Sequence, residues 1–145
     1  MIYQLVYISE YTGTDSKKDL QDILTQSRRL NPQSGITGML LFIQDSFIQV
    51  LEGEREHVQQ TYARIAKDPR HGRLDMLLEH DVPKRLFPDW SMAWMPVTES
   101  ELCTLAHIDQ CDFETLSRLD SNIIGSMLLT FAETQSEIAR SSKEA

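Results

Sequence analysis

Ser46-Phe47-Ile48-Gln49-Val50-Leu51-Glu52-Gly53 reads as a strand with a glutamine inside its apolar run. Side chains alternate along a strand, so Phe47, Gln49 and Leu51 share one face and Ile48 and Val50 the other. A buried primary amide needs partners for two donors and a two-lone-pair acceptor, or it costs free energy. The fold must therefore bring something polar to the Gln49 face. Just upstream, Ile36 to Ile43 is apolar enough for a strand buried on both faces, and Gln44-Asp45-Ser46 is short enough for a hairpin link. Gly38 inside that strand points to close approach of another backbone or of a ligand.

Ile2 to Ser9 alternates and is rich in β-formers, with Tyr3, Leu5 and Tyr7 on one face. Asp15 or Ser16 can cap a helix that runs to about Leu30 and stops before Pro32. Its inward stripe is Leu20, Ile23, Leu24, Ser27 and Asn31, so it turns polar in the last turn. Asn31 there is either a C-terminal cap or part of a site. A second helix covers Arg55 to Lys67, with Val58, Tyr62, Ile65 and Ala66 inward and Arg64 four residues from Asp68, a spacing that allows a pair. Leu74 to Val82 is a fourth strand and Trp90 to Met95 a fifth, closed by Pro96. Helices follow, at a Thr98 capping box and over Phe113 to Glu133, and residues 136–145 read as a frayed tail.

This order predicts an α+β, ferredoxin-like βαββαββ fold with a five-stranded mixed sheet. Two helices lie on one face, and the C-terminal helices cover the other face or a partner. Residues 1–96 form the domain and 97–135 a helical extension for output or oligomerisation. The first and third strands are central neighbours in such a sheet, which sets Tyr7 beside Gln49 and near the Ser27/Asn31 end of the first helix.

At 145 residues the chain suits one domain with its own core. A formal net charge of -8 argues against non-specific nucleic-acid binding. Neither a signal segment nor an apolar run long enough to span a membrane is present, so the expectation is a soluble cytoplasmic protein. Cys103 and Cys111 read as reduced thiols, and the four histidines are too scattered for a metal site. Phosphate-loop and nucleophile-elbow motifs are missing, and Tyr11-Thr12-Gly13-Thr14 is a weak phosphate loop, which leaves a ferredoxin-like small-molecule hydrolase or a passive interaction domain as alternatives. Tyr7, Gln49 and Asn31 can be a satisfied structural network or the polar edge of a slot for a heterocycle, and the residues alone leave both open.

Five stretches together resemble the BLUF family of flavin-binding blue-light sensors: Leu5-Val6-Tyr7-Ile8-Ser9, Asn31 with Gly35-Ile36-Thr37-Gly38-Met39-Leu40, Phe47 to Gly53, Arg64 to Asp68, and Phe87-Pro88-Asp89-Trp90-Ser91-Met92. The likeness is to short, stand-alone members with a helical tail. It implies FAD, with FMN or riboflavin fitting the same ring pocket, held between the first two helices. It implies contacts from Tyr7, Leu24, Ser27, Asn31, Ile36, Phe47, Gln49, Arg64, Ile65 and Asp68. Tyr7 would be the electron and proton donor, Gln49 the hydrogen-bond switch, and Trp90 and Met92 residues whose surroundings change with light. It also implies that the chain is not an enzyme, binds no metal, and signals through strand five and the tail helices to a downstream protein or a homo-oligomer.

Overall fold

The computed structural model describes residues 1–89 and 91–144, the side chains of 135–144 excepted. Trp90 and the side chains of the expected tail lie outside the described residues. The elements are β1 (Ile2–Tyr11), α1 (Ser16–Ser34), β2 (Thr37–Ile43), β3 (Ser46–Gly53), α2 (Arg55–Ala66), β4 (His71–Val82), β5 (Ala93–Trp94), α3 (Glu99–Ala106), α4 (Phe113–Leu116) and α5 (Ser121–Glu144). One sheet has the order β4-β1-β3-β2-β5, antiparallel except for β2 with β5. This is the expected ferredoxin-like arrangement, with β1 and β3 central.

β3 is buried along its whole length. The β2–β3 hairpin turns through Gln44 and Asp45, both at positive φ (46° and 58°), which matches the twist of the two strands. Gly38 lets β2 press on β3: a Cβ built there would lie 1.9 Å from the Val50 carbonyl oxygen. The sheet pairs Tyr7 directly with Gln49.

Alternation divides the core in two. Tyr3, Leu5, Tyr7, Leu40, Phe47 and Leu51 face α1 and α2 and pack with Leu20, Ile23, Leu24, Val58 and Met92. Val6, Ile8, Met39, Ile48 and Val50 face the other way and pack under Leu102, Leu116, Ile124, Met127 and Phe131. The C-terminal helices therefore cover the chain's own sheet. Among the described side chains of α5, Ile124, Met127, Leu128 and Phe131 pack there.

Four expectations need correction. α1 continues through Pro32 to Ser34 and ends at Gly35 in the left-handed region (φ 65°). Proline costs that turn one backbone donor, and the Ile36 N–H to Asn31 carbonyl bond (2.9 Å) closes the end instead. Asn31 thus lies inside the helix and is buried, so it is no terminal cap. Among the described residues β5 keeps only Ala93 and Trp94 of the strand expected over Trp90 to Met95, and just before it α1 side chains hold the carbonyls of Ser91 and Met92. The helix expected over Phe113 to Glu133 breaks in two: the Asp120 carboxylate accepts from the Ile123 N–H (2.9 Å) and starts α5 afresh. Finally, α2 ends at Ala66, which is exposed, and Thr61 rather than Ala66 completes its inward stripe.

Candidate functional site

The site is built on β1 and β3 and roofed by α1 and α2. Tyr7 is fully buried, with its ring edge-on to Tyr62 at 5.6 Å. Its hydroxyl donates to Gln49 Oε1. Gln49 Nε2 in turn donates to the Met92 thioether at 3.3 Å. Sulfur is a weak acceptor, so this buried amide holds one strong bond and one poor one. Burial, reinforced by Tyr62 and Asp68, raises the Tyr7 phenol well above its ordinary range, so it is neutral at any physiological pH.

A slot of about 50 Å³ opens between the helices above Gln49. Ile23 and Ile65 give it apolar walls, and Ser27, Arg64, Asp68 and Gln49 its polar ones. These include five of the residues singled out from sequence. Leu24, Ile36 and Phe47 lie in the core on this side of the sheet and do not line the slot. Asn31 is near the chain leading to β5, where its amide donates to the Ser91 carbonyl at 2.7 Å. It makes no hydrogen bond with Gln49 or Tyr7, so the expected three-residue cluster is a pair plus a separate anchor. Arg28 Nε donates to the Met92 carbonyl at 3.0 Å, fixing Met92 from the same helix.

Three further polar residues line the slot that the sequence reading passed over: Gln26, Arg70 and His71. The stretch Asp68-Pro69-Arg70-His71-Gly72 has the composition of a plain loop, with a proline and a glycine flanking two polar residues. An arginine and a histidine, Arg70 and His71, within three residues of Asp68 are the available signal. Arg70 Nε donates to both Asp68 oxygens (2.9 and 3.1 Å), so Asp68 pairs with Arg70 and not with Arg64. Those bonds hold the Asp68 carboxyl below the usual range. The His71 Nδ1 and Ser9 hydroxyl share a hydrogen bond at 2.6 Å, and burial lowers the imidazole to about 4, which keeps it neutral. In the Tyr11–Thr14 turn Thr12 is already engaged, its N–H donating to the Arg70 carbonyl (3.1 Å) and its hydroxyl to that of Pro69 (2.7 Å).

On the opposite face Glu52 ties the approach to Met92 back to β3. Its buried carboxylate accepts from the N–H groups of Leu86 (2.8 Å) and Phe87 (2.9 Å) and from Gln4 Nε2 (3.0 Å). The 85–94 stretch is thus held to β3 at two points, one fixed by Glu52 and one made by the Gln49–Met92 contact. Among the described residues no group of acidic, histidine or cysteine side chains is arranged for a metal ion. No helix among them is long and apolar enough to cross a membrane.

A family model described as BLUF, sensors of blue-light using FAD, matches residues 2–93. Photoactivated adenylate cyclase subunit beta of Euglena gracilis is 39% identical over 103 residues, which are 69% of this chain and 12% of that protein. The chain therefore spans only a small part of that relative's length. The dark-state structure of BlrB, a BLUF protein, superposes with a TM-score of 0.77 at 32% identity, covering 92% of this chain and 96% of that one. The ground state of BlsA superposes with a TM-score of 0.80 at 28% identity, covering 91% and 88%. The family match, taken with the Tyr7–Gln49 pair beneath a slot between two helices, means that this chain belongs to the BLUF family of flavin-based blue-light sensors.

Proposed function

We propose that the slot between α1 and α2 takes the flavin ring, as FAD in the cell and as FMN or riboflavin where those are supplied, and that Tyr7, Gln49 and Met92 form the light switch. The observation that carries this reading is the half-satisfied amide of Gln49, whose Nε2 finds only a thioether at 3.3 Å. A carbonyl or ring nitrogen entering the slot offers that donor a stronger acceptor. Ile23 and Ile65 suit the faces of a flat heterocycle, and Ser27, Arg64, Asp68, Arg70 and His71 suit its polar edge. The free space of about 50 Å³ holds a water or two, so α1 and α2 part when the ring enters.

When bound and excited by blue light, the flavin supplies a strong one-electron oxidant. Tyr7 is the electron source nearest to Gln49. Because burial keeps its phenol neutral, the electron it would give to the flavin is matched by a proton moving along its bond to Gln49 Oε1 towards the ring, and both return to Tyr7, so that neither Tyr7 nor the flavin is changed in oxidation state at the end. Gln49 then rotates or tautomerises, exchanging donor and acceptor between Tyr7 and Met92. A two-state element needs partners that tell its states apart. Met92 is such a partner: its sulfur loses an N–H, while Arg28 holds its carbonyl and its neighbours Ala93 and Trp94 are β5. Asn31 sets the same stretch through Ser91. Trp90, expected to respond to light, lies outside the described residues.

The signal then passes through β5 and α3–α5 to a downstream protein. Family membership describes a sensor and assigns this segment no catalysis. Among the described residues, support for a homo-oligomer comes from the exposed large apolar side chains Met1, Met76, Trp94 and Leu129. The test is an absorption spectrum of the purified protein in the dark and after blue light. A flavin band that shifts red and recovers in the dark is expected. A colourless protein that FAD, FMN and riboflavin all fail to reconstitute overturns the reading.

A further inference from the structure

The C-terminal helices hold a second pair of chemically matched groups. α3 ends at His107 in the left-handed region (φ 57°), where its N–H and that of Ile108 bond back to the carbonyls of Thr104 and Cys103. This closure turns the chain sharply and returns it across its own helix. Cys103 and Cys111, eight residues apart, meet as a result with their sulfurs at 2.7 Å. A covalent bond between two sulfurs is about 2.05 Å long, so only a small approach separates these thiols from bonding. Both are free thiols in this structure.

From this geometry we infer that Cys103 and Cys111 are a redox modification site, closing reversibly to an intramolecular disulfide in the helical cap over the sheet. The two sulfurs have different roles. Cys103 is half-buried and can be reached from solvent. Cys111 is buried in the cluster that packs β1–β3 under α3–α5, and its burial raises its thiol pKa. A small-molecule disulfide such as oxidised glutathione is the oxidant. The Cys103 thiolate attacks one of its sulfurs, forming a mixed disulfide and releasing one glutathione. Cys111 gives up its proton and attacks the Cys103 sulfur, releasing the second glutathione. The two protein thiols lose two electrons and two protons, and the oxidant is reduced to two thiols. The product joins the end of α3 to the link before α4, so the redox state is written into the cap that follows β5.

The test uses the whole chain, in the dark, equilibrated in glutathione buffers from fully reduced to fully oxidised. Samples are acid-quenched, alkylated and mapped by mass spectrometry. The expected result is joint loss of both thiols, a linked peptide pair containing Cys103 and Cys111, a monomer lighter by two hydrogens, and full reversal by dithiothreitol. Cross-linking a loop of this length raises Tm by roughly 5–10 °C. In Cys111→Ser, Cys103 accumulates a glutathione adduct. In Cys103→Ser, Cys111 resists modification until the protein unfolds. Two alkylatable thiols in the most oxidising buffer overturn the inference. A stable glutathione adduct on Cys103 of the unmodified sequence, or a disulfide between chains, overturns it equally. None of these readouts involves flavin.

Discussion

Replacing Tyr7 by phenylalanine removes a single oxygen from a fully buried ring. The edge-on packing against Tyr62 at 5.6 Å involves the ring itself and survives the change. What is lost is the donor to Gln49 Oε1. A buried acceptor left without its donor costs about 1–3 kcal/mol. Gln49 lines the slot, where water or cofactor can reach it, so the lower end applies, about 1 kcal/mol or a Tm lower by roughly 2–4 °C. The variant therefore folds and keeps its flavin. On the proposed mechanism it loses both the electron and the proton that drive the amide rearrangement. The assay compares dark and blue-lit absorption spectra of Tyr7→Phe and the parent protein at matched flavin content. The expectation is the parent's flavin band in the dark and no red-shifted state after light. A reversible red shift of full size in Tyr7→Phe removes Tyr7 from its role and refutes the reasoning.

Gln49→Leu deletes both amide bonds in a side chain of similar shape; it should bind flavin, show no red shift and lose about 1–3 kcal/mol from the stranded Tyr7 hydroxyl, and a retained shift would sink the switch. His71 binds its proton in the folded state only near pH 4, against an ordinary 6.5, so the unfolded chain gains a proton first as pH falls. Stability should accordingly decline between about pH 6.5 and 4, by at most about 3 kcal/mol, and His71→Gln should flatten that part of a urea-denaturation pH series; an unchanged slope would count against a buried neutral imidazole. Asp68, whose folded pKa is depressed, adds its own loss only below the usual carboxylate range, outside that window. Gly38→Ala places a Cβ 1.9 Å from the Val50 carbonyl oxygen, so β2 and β3 must separate, with a loss above about 3 kcal/mol or no soluble protein; a denaturation midpoint equal to the parent's would show that the two strands tolerate separation.

Much of this molecule was legible in its residues because period-two alternation and turn chemistry are local. Gln49 inside a β-pattern, the β1/β3 adjacency implied by element order, and the close approach at Gly38 all follow from such signals. Register then places Tyr7 against Gln49, since in a split βαβ sheet the two central strands have few ways to pair. Five stretches in the right order carry the family likeness in the residues themselves, and the family model matches the span 2–93 that contains them.

Tertiary structure decided what depends on side chains meeting across long separations. Asp68 chose Arg70 over Arg64 because α2 ends at Ala66, two residues short of the pairing that helical spacing suggested. Asn31 reached Ser91, sixty residues on, because α1 runs through Pro32 and carries the amide inside the fold. β5 is short among the described residues, and Arg28 and Asn31 hold the carbonyls of Met92 and Ser91 just before it. Spacing in the sequence could name the glutamine that needs a partner. Only packing could give its N–H a weak sulfur acceptor beside the strong bond its oxygen accepts, and that imbalance, with Met92 held from α1, is the basis on which we propose that the amide turns.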